Sequence, residues 1–306
     1  MGKAYDGIIG LVVGDALGLP VQFKKRDTYK ITDMVGNGTY NQPLGTWSDD
    51  SSMTLATVES IGRLGKIDTD DIMKNFLDWL NNATFTPYNK VFDVGARTLK
   101  SIAKYARGVP IDDCGGKSYF DNGNGALMRI LPVAIAVKED VANRLTEVEA
   151  VAKLTHNHLI SHIACFIYTI IVTNLINKMD KEKAVEEAIN TIGKLYRNSE
   201  TWQEYCSLSK IGKLERNKIK SSGYVVDTLE AAIWCLLNTN SYKDCVLLAV
   251  NLGKDTDTIA AVAGGLAGII YGCGDRCGIP NEWISQITRK EWIKGLCDKF
   301  ENKLLK

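Results

Sequence analysis

The chain has 306 residues, of which 45% are apolar and 24% charged, and its formal net charge is +1. That length can bury one large core or two ordinary ones, and the composition is that of a globular protein with no disordered or fibrous bias. The near-neutral charge produces no global field, so neither nucleic acid nor a membrane surface is indicated as a specific partner.

The first apolar run, residues 8 to 19, is interrupted by Asp15. It is too short to span a bilayer, and no signal-peptide cleavage site follows a basic start. The 8 cysteines are scattered, several of them inside apolar runs, which is typical of reduced core thiols rather than of a disulfide framework. Cys273 and Cys277 lack a second pair or a nearby histidine, so we interpret them as structural thiols. We expect a cytoplasmic protein.

Helical periodicity dominates the rest of the chain. Apolar residues fall on one helical face in residues 53–64, 72–80 and 226–237. Asp68 or Thr69 can cap the start of the helix that contains Ile72, and Gly65 can end the preceding helix. Long period-two runs, Pro/Ser-rich linkers and low-complexity segments are absent from the sequence. We predict an all-α fold in a single domain that spans residues 1–306.

Two predicted helices carry a glycine at every fourth position. The first has Gly10, Gly14 and Gly18, and the second has Gly264, Gly268 and Gly272. Glycine inside a helix costs roughly 1 kcal/mol relative to alanine, so these ridges indicate a close approach of backbones. By themselves they favour close core packing, and a site held at the ends of two central helices is the functional alternative.

Acidic clusters stand at two predicted helix starts, residues 47–50 and 254–258. Helix capping is one explanation, because the macrodipole favours an N-terminal aspartate by roughly 0.3–1 kcal/mol. A metal site is the other. The helix after the second cluster has no polar face and must be buried, which places its aspartates beside the core, where bare charges are costly. Carboxylates and hydroxyls are hard donors that suit Mg²⁺ or Mn²⁺, whereas zinc prefers histidine or thiolate.

Six short segments then match one known family in order. They are residues 14–20 (GDALGLP), 45–53 (GTWSDDSSM), 123–129 (GNGALMR), 154–156 (LTH), 223–229 (GYVVDTL) and 253–258 (GKDTDT). Each is weak alone, but together the chain resembles the ADP-ribosylglycohydrolase family, which includes the dinitrogenase reductase-activating glycohydrolase and the ADP-ribosylarginine hydrolases. The resemblance covers most of the chain. It implies an orthogonal all-α bundle with two Mg²⁺ or Mn²⁺ ions in a central cleft.

The resemblance also implies the metal ligands. They are Ser48, Asp49, Asp50, Asp255, Asp257 and Thr258. Ser48 stands where threonine is common, a change that keeps the hydroxyl. Asp93 looks like the family's acidic position that faces the scissile ribose, and an ordinary helix N-cap is its alternative.

The substrate contacts implied by the resemblance lie further along the chain. They are Gly123, Asn124, Gly125, Ala126, Met128, His156 and Tyr224. Residues 123–129 look like the loop that cradles the ADP-ribose diphosphate, since glycines admit backbone N–H groups to phosphate and a helix predicted to start at Ala126 adds its positive end. His156 matches a histidine that contacts the distal ribose, and Tyr224 resembles an aromatic residue beside the bound ribose or adenine.

We make separate predictions for three polar residues near this loop. Asp121 replaces a frequent serine, and we expect its carboxylate to point away from phosphate. His158 and His162 are spaced by four residues, but no third ligand accompanies them, so they do not indicate a zinc site.

The implied reaction is hydrolysis at C1 of the distal ribose through an oxocarbenium-like transition state. The implied partner is an ADP-ribosylated protein, with arginine favoured, or a related conjugate, and ADP-ribose is the product. The metals could hold the ribose hydroxyls and a water, and a carboxylate would take the proton. Gln22 stands where the family commonly has glutamate and cannot act as a base. Asp93 or a metal ligand such as Asp49 is then the catalytic carboxylate, or the enzyme is slow.

Two other functions remain open from the sequence. A non-catalytic family member that binds ADP-ribose or is structural is favoured by Gln22, whereas the intact acidic clusters favour the hydrolase. A different all-α enzyme that binds Mg²⁺-diphosphate, such as a terpene synthase, would need an Asp-Asp-x-x-Asp pattern. Met53 occupies the last place of that pattern here.

Overall fold

The computed structural model describes residues 2–137, 140–274 and 276–304 of the chain. These residues form α-helices and 3₁₀ segments, the longest of which is Glu200–Lys213, and their only β-type pairings are isolated bridges. The all-α prediction is confirmed. The α-helices are α1 Lys3–Gly18, α2 Asp49–Leu64, α3 Thr69–Asn82, α4 Ala96–Ala106, α5 Leu131–Ala136, α6 Val141–Ala152, α7 Leu159–Ile176, α8 Lys181–Tyr196, α9 Val225–Leu237, α10 Tyr242–Val250, α11 Thr256–Tyr271, α12 Asn281–Gln286 and α13 Lys290–Leu304.

The predicted end of α2 and the predicted start of α3 agree with the structure. The Asp68 carboxylate accepts a hydrogen bond from the backbone N–H of Asp71 at 3.1 Å and so caps α3. Gly65 ends α2 in the left-handed region, with φ of +73°, where glycine is favoured. The apolar faces predicted for α2, α3 and α9 point into the core.

Helices α1 and α11 pack against each other at the centre of the protein. A Cβ added to Gly10 would stand 2.5 Å from the carbonyl oxygen of Gly264, so an alanine cannot fit there without moving a backbone. The close approach predicted from the glycine ridges is therefore present. Gly272 is the exception, because it lies one residue beyond α11 and caps that helix at a φ of +67°. Its role is conformational, and its place in the helical ridge was predicted wrongly.

Residues 3–21 and α7 are long and apolar enough to cross a membrane by length and composition alone. The N-terminal helical stretch is thus longer than the apolar run that the sequence suggested. All of residues 4–21 and 83% of α7 are buried inside the protein, which makes them core helices of this structure.

The cysteines are free thiols, and most of them are buried as predicted. Cys273 and Cys277 both lie in the segment between α11 and α12. Cys273 is half-buried and Cys277 is exposed.

Candidate active site

Three helix ends bring carboxylates together at the centre of the fold. Asp15 lies near the end of α1, Asp50 in the first turn of α2, and Asp257 in the first turn of α11. Each is buried, and each offers a carboxylate oxygen within 4.8 Å of those of the other two. The second glycine-rich helix, α11, thus begins at a carboxylate cluster, which the glycine ridges alone did not predict.

Asp15 was not among the predicted ligands. Its carboxylate accepts hydrogen bonds from the backbone N–H of Ser48 at 3.0 Å and from the backbone N–H and hydroxyl of Ser51 at 3.1 and 2.5 Å. It therefore satisfies N–H groups at the start of α2, which have no partner inside that helix. Burial raises the pKa of Asp15 to about 6 in spite of these bonds. A single carboxylate inside the apolar run of α1 was the sequence signal for it.

The predicted hydroxyl ligands Ser48 and Thr258 both contact Asp50. The Ser48 hydroxyl accepts from the Asp50 backbone N–H at 3.2 Å and donates to its Oδ2 at 3.0 Å, and the Thr258 hydroxyl donates to the same oxygen at 3.3 Å. The other oxygen, Oδ1, is buried without a hydrogen-bond partner. One side of the Asp50 carboxylate is thus satisfied, and the other remains open.

The cluster has the charge and the unpaired atoms that a cation would satisfy. Both carboxylate oxygens of Asp257 are buried without a partner. Burial, and after it the charges of neighbouring aspartates, raises the pKa values of Asp49, Asp50 and Asp257 well above the ordinary value. Within the described residues no lysine or arginine forms an ion pair with these aspartates. A metal ion bound by oxygen atoms fits this donor set.

A cleft of about 390 Å³ opens beside the cluster. It brings most of the predicted catalytic and binding residues to one place. Its wall contains Gln22, Asp49, Asp93, Asp255 and Thr258 together with Gly123, Asn124, Gly125, Met128 and His156. Ser48, Asp50 and Asp257 lie behind the wall, in the buried part of the cluster.

Two predicted binding residues do not line this cleft. Ala126 is fully buried beneath the glycine loop. Tyr224 forms a backbone bridge with Gly123, but its hydroxyl points elsewhere and donates to Glu204 at 3.0 Å. These residues support the loop from behind.

The helix predicted to start at Ala126 is absent. A single 3₁₀ turn, Leu127–Arg129, follows the glycine loop, and α5 begins only at Leu131. Pro132 explains the difference, because in a continuous helix its ring would clash with the carbonyl group four residues earlier. The support of an α-helix dipole for phosphate binding is lost, and the glycine-loop backbone is what remains. Asn124 ties this loop to α11, since its side chain donates to the Asp255 carboxylate at 2.5 Å.

Asp93 lies in the loop before α4 and not at that helix's cap. Gly95 is the N-cap residue of α4, so the N-cap alternative for Asp93 is wrong. Asp93 is half-buried in the left-handed region, with φ of +52°, and forms a side-chain hydrogen bond with the Tyr40 hydroxyl. Its carboxylate is therefore held in the cleft by a residue that the sequence did not suggest.

Gln22 lies at the edge of the cluster. Its side chain is buried and hydrogen-bonded to Asp255, and this bond lowers the pKa of that carboxyl against the larger effect of burial, which raises it. Because a carboxylate only accepts, the Gln22 amide N–H is the donor in this bond. Its Oε1 atom has no partner. The amide at position 22 thus gives the cluster a donor that glutamate could not give.

The three histidines have different surroundings. His156 lies in the cleft wall with its Nδ1 atom 2.8 Å from the Thr155 hydroxyl, and burial lowers its pKa to about 3. The Nδ1 atom of His158 caps α7 by accepting from the backbone N–H of Ile160 at 3.2 Å. His162 is buried in α7. No histidine belongs to the carboxylate group that could hold a metal among the described residues.

Asp121 is also in the cleft wall, and its charge is compensated. Its carboxylate forms an ion pair with Arg97 and accepts from the backbone N–H of Ser118 at 3.0 Å. The arginine was not predicted as a site residue, and it compensates the charge of a carboxylate beside the glycine loop.

Comparison with known proteins agrees with this geometry. A model of the ADP-ribosylglycohydrolase family matches residues 1–305. The chain is 31% identical to the ADP-ribosylarginine hydrolase Tri1 of Serratia proteamaculans, over 97% of this chain and 78% of that protein. It is 33% identical to the ADP-ribosyl-[dinitrogen reductase] glycohydrolase of Rhodospirillum rubrum, over 94% of this chain and 91% of that protein. A solved structure described as an ADP-ribosylglycohydrolase-related protein complex superposes with a TM-score of 0.78 at 26% identity, over 99% of this chain and 98% of that one.

Proposed function

The chain belongs to the ADP-ribosylglycohydrolase family, and we propose that it is a metal-dependent hydrolase that removes ADP-ribose from modified proteins, with arginine as the favoured acceptor. One observation carries the proposal. The buried carboxylates of Asp15, Asp50 and Asp257 stand beside a cleft that is also lined by the glycine loop and His156. Such a cleft can hold cations next to the carboxylates and an anionic ligand against the loop.

The cluster is the proposed site of two Mg²⁺ or Mn²⁺ ions. The residues that would hold them are Ser48, Asp49, Asp50, Asp255, Asp257 and Thr258. The unpaired oxygens of Asp50 and Asp257 support this assignment. Bound there, divalent ions would neutralise the cluster, polarise ribose hydroxyls and lower the pKa of a water. Asp15 would orient the start of α2 and so hold Asp49 and Asp50 in place.

The glycine loop and His156 are the proposed binding surface for ADP-ribose. The glycines at 123 and 125 leave room for backbone N–H groups to approach a phosphate. Asn124 connects this loop to Asp255, so the loop is held beside the carboxylate cluster. His156 lines the same cleft as a neutral side chain at physiological pH, because its pKa is lowered to about 3.

Hydrolysis breaks the bond from C1 of the distal ribose to the acceptor and forms a new bond from C1 to a water oxygen. The water loses a proton, and the acceptor leaves with one. Asp93 is the proposed base, because it lies in the cleft wall, is half-buried and is held by the Tyr40 hydroxyl. Gln22 cannot take the proton.

A binding or structural role without catalysis is the second candidate. The observation that favours it is the amide of Gln22, which stands at the edge of the cluster and donates to Asp255. Both candidates require ADP-ribose to bind, and only the first requires its release from a conjugate.

We also propose that residues 1–306 form one domain and that the protein is cytoplasmic. The Glu301 carboxylate near the C-terminus accepts from the backbone N–H groups of Ala4 and Tyr5 near the N-terminus, at 3.0 and 3.2 Å, which supports one domain. The free thiols support a reducing compartment.

The substrate panel that tests the function contains ADP-ribosylated arginine, serine and DNA, each incubated with the protein and Mg²⁺. We expect free ADP-ribose from the arginine conjugate first. Binding of ADP-ribose with no release from any conjugate would establish the non-catalytic candidate. Absence of both would overturn the proposal.

A further inference from the structure

A buried arginine lies behind the glycine loop, outside the cleft. Arg129 is fully buried, and its guanidinium carbon lies 4.7 Å from the centre of the Phe76 ring. Its Nη2 atom donates to the Val151 carbonyl at 3.3 Å and to the Thr155 hydroxyl at 2.8 Å. No carboxylate forms an ion pair with it in the described parts of the chain. A buried cation without a counter-charge is costly, so a structural or functional reason must retain it.

The Thr155 hydroxyl stands between Arg129 and His156. A guanidinium only donates, so the hydroxyl oxygen accepts from Arg129. The hydroxyl hydrogen then needs an acceptor of its own, because a buried donor left without one is destabilising. The Nδ1 atom of His156, at 2.8 Å, is the acceptor that the structure offers. Nδ1 can accept only when it carries no hydrogen, and the neutral ring then carries its hydrogen on Nε2.

The opposite edge of the His156 ring faces the glycine loop. A Cβ on Gly125 would stand 2.8 Å from the Cε1 atom of His156, and a Cβ on Gly123 would stand 3.5 Å from Nε2. Both glycines and His156 line the cleft. The Nε2–H group is therefore directed to the side where a ligand would lie.

We infer that Arg129 and Thr155 are positioning residues that hold His156 in the Nε2–H tautomer, so that the ring presents a hydrogen-bond donor to an oxygen atom of the ligand in the cleft. The identity of that ligand as ADP-ribose rests on the proposed function. The tautomer does not, because it follows from the contacts of the ligand-free protein. The buried site also keeps the imidazole neutral, since the pKa of His156 is lowered to about 3.

Long-range ¹H–¹⁵N spectra of the ligand-free protein in Mg²⁺ buffer test the tautomer directly. The chain has only three histidines, and the signals of His156 are identified by their loss in His156→Gln. We expect a pyridine-like Nδ1 and a pyrrole-like Nε2 in the wild type. Thr155→Ser keeps the hydroxyl and is expected to preserve both signals. Thr155→Val removes it and is expected to shift Nδ1 and to mix the tautomers.

Affinity for ADP-ribose, measured by calorimetry on the same proteins, tests what the tautomer does. We expect Thr155→Val to weaken binding by about 5- to 10-fold, as for the loss of one well-placed hydrogen bond, and Thr155→Ser to restore it. Thr169→Val is the matched control, because Thr169 is also buried and its hydroxyl has no partner. It is expected to leave both the spectrum and the affinity unchanged.

A protonated Nδ1 in wild-type His156, or an unaltered spectrum in Thr155→Val, would overturn the inference. Equal affinities of Thr155→Val and Thr169→Val would overturn its ligand part. If the wild type binds no ADP-ribose but shows the expected tautomer, the proposed function fails, while the assignment of Arg129 and Thr155 as positioning residues for His156 stands.

Discussion

Gly18 at the end of α1 touches the backbone of Asp257 in the first turn of α11. A Cβ at position 18 would stand 2.5 Å from the Asp257 backbone nitrogen, closer than real Cβ contacts allow. The glycine therefore sets the distance between the helix that carries Asp15 and the helix that carries Asp257. The close packing of α1 against α11 therefore also fixes the geometry of the carboxylate cluster.

Gly18→Ala is expected to destabilise the protein by about 1–3 kcal/mol or more, because a backbone must move to admit the methyl group. Gly295→Ala is its control, since Gly295 lies in α13 and no heavy atom approaches an added Cβ within 4 Å. That change should stabilise the helix by roughly 0.5–1 kcal/mol. Urea unfolding of both variants measures the difference, and equal effects would show that the close approach is not what requires Gly18.

Asp257→Asn is expected to change stability in opposite directions with and without metal. In metal-free buffer at pH 8 the variant should gain on the order of 1 kcal/mol, because a buried charge without a partner is removed. With saturating Mg²⁺ the wild type should be the more stable protein, because only it gains the binding energy. Asp298→Asn, at an exposed ion pair with Lys294, should stay within about 0.5 kcal/mol throughout. A variant that responds to Mg²⁺ as the wild type does would exclude Asp257 from the metal site.

The stabilisation by Mg²⁺ is expected to grow between pH 5 and pH 8. A carboxyl group whose pKa is raised on folding contributes stability that is fully present below its unfolded pKa near 4, and that stability is lost as the pH rises through the folded value, about 6 for Asp15. A cation that replaces the protons restores the lost stability. The cation binds more tightly at higher pH, because fewer protons then compete for the carboxylates.

Melting temperatures with and without Mg²⁺ at each pH check this. His156 and His162 have pKa values lowered to about 3 and 4, so their contributions to stability are lost as the pH falls from 6.5. These contributions are the same with and without Mg²⁺ and cancel in the difference between the two melting temperatures. An increase in melting temperature on addition of Mg²⁺ that does not depend on pH would contradict metal binding by carboxyl groups with raised pKa values.

Gln22→Glu is expected to raise the rate of ADP-ribose release by up to about 10²-fold and to add a low-pH limb to the rate profile, because a general base then stands at the edge of the cluster. The donor to Asp255 is lost at the same time, so the variant should depend more strongly on metal. The control is Gln203→Glu, at an exposed glutamine on another surface. Single-turnover rates against pH decide the matter, and superimposable profiles would remove Gln22 from the chemistry and leave Asp93 as the base.

The helices and the two acidic clusters could be predicted because local patterns specify them. Helical stripes, the Asp68 cap and the left-handed Gly65 are read from neighbouring residues. The role of Asp15 depends on where α1 meets α2, and the ion pair of Arg97 with Asp121 joins residues 24 positions apart. Such contacts are set by packing. The lone carboxylate in the apolar run of α1 marks Asp15 as unusual, but no local pattern specifies which residues Asp15 or Arg97 contacts. The prediction of a helix start at Ala126 was wrong although a local signal, Pro132, stood against it. Proline at that position outweighs the helical pattern before it.

The most direct test of the account is single-turnover release of ADP-ribose from ADP-ribosylarginine in Mg²⁺, by the wild type, Asp49→Ala, Asp257→Ala and the double variant. Release by the wild type should stop when the metal is chelated. Each single variant should lose at least about 10²-fold, and the double variant should be little worse than either, because both residues act on one metal unit. Release that survives chelation, or that persists undiminished in Asp257→Ala, would contradict the account.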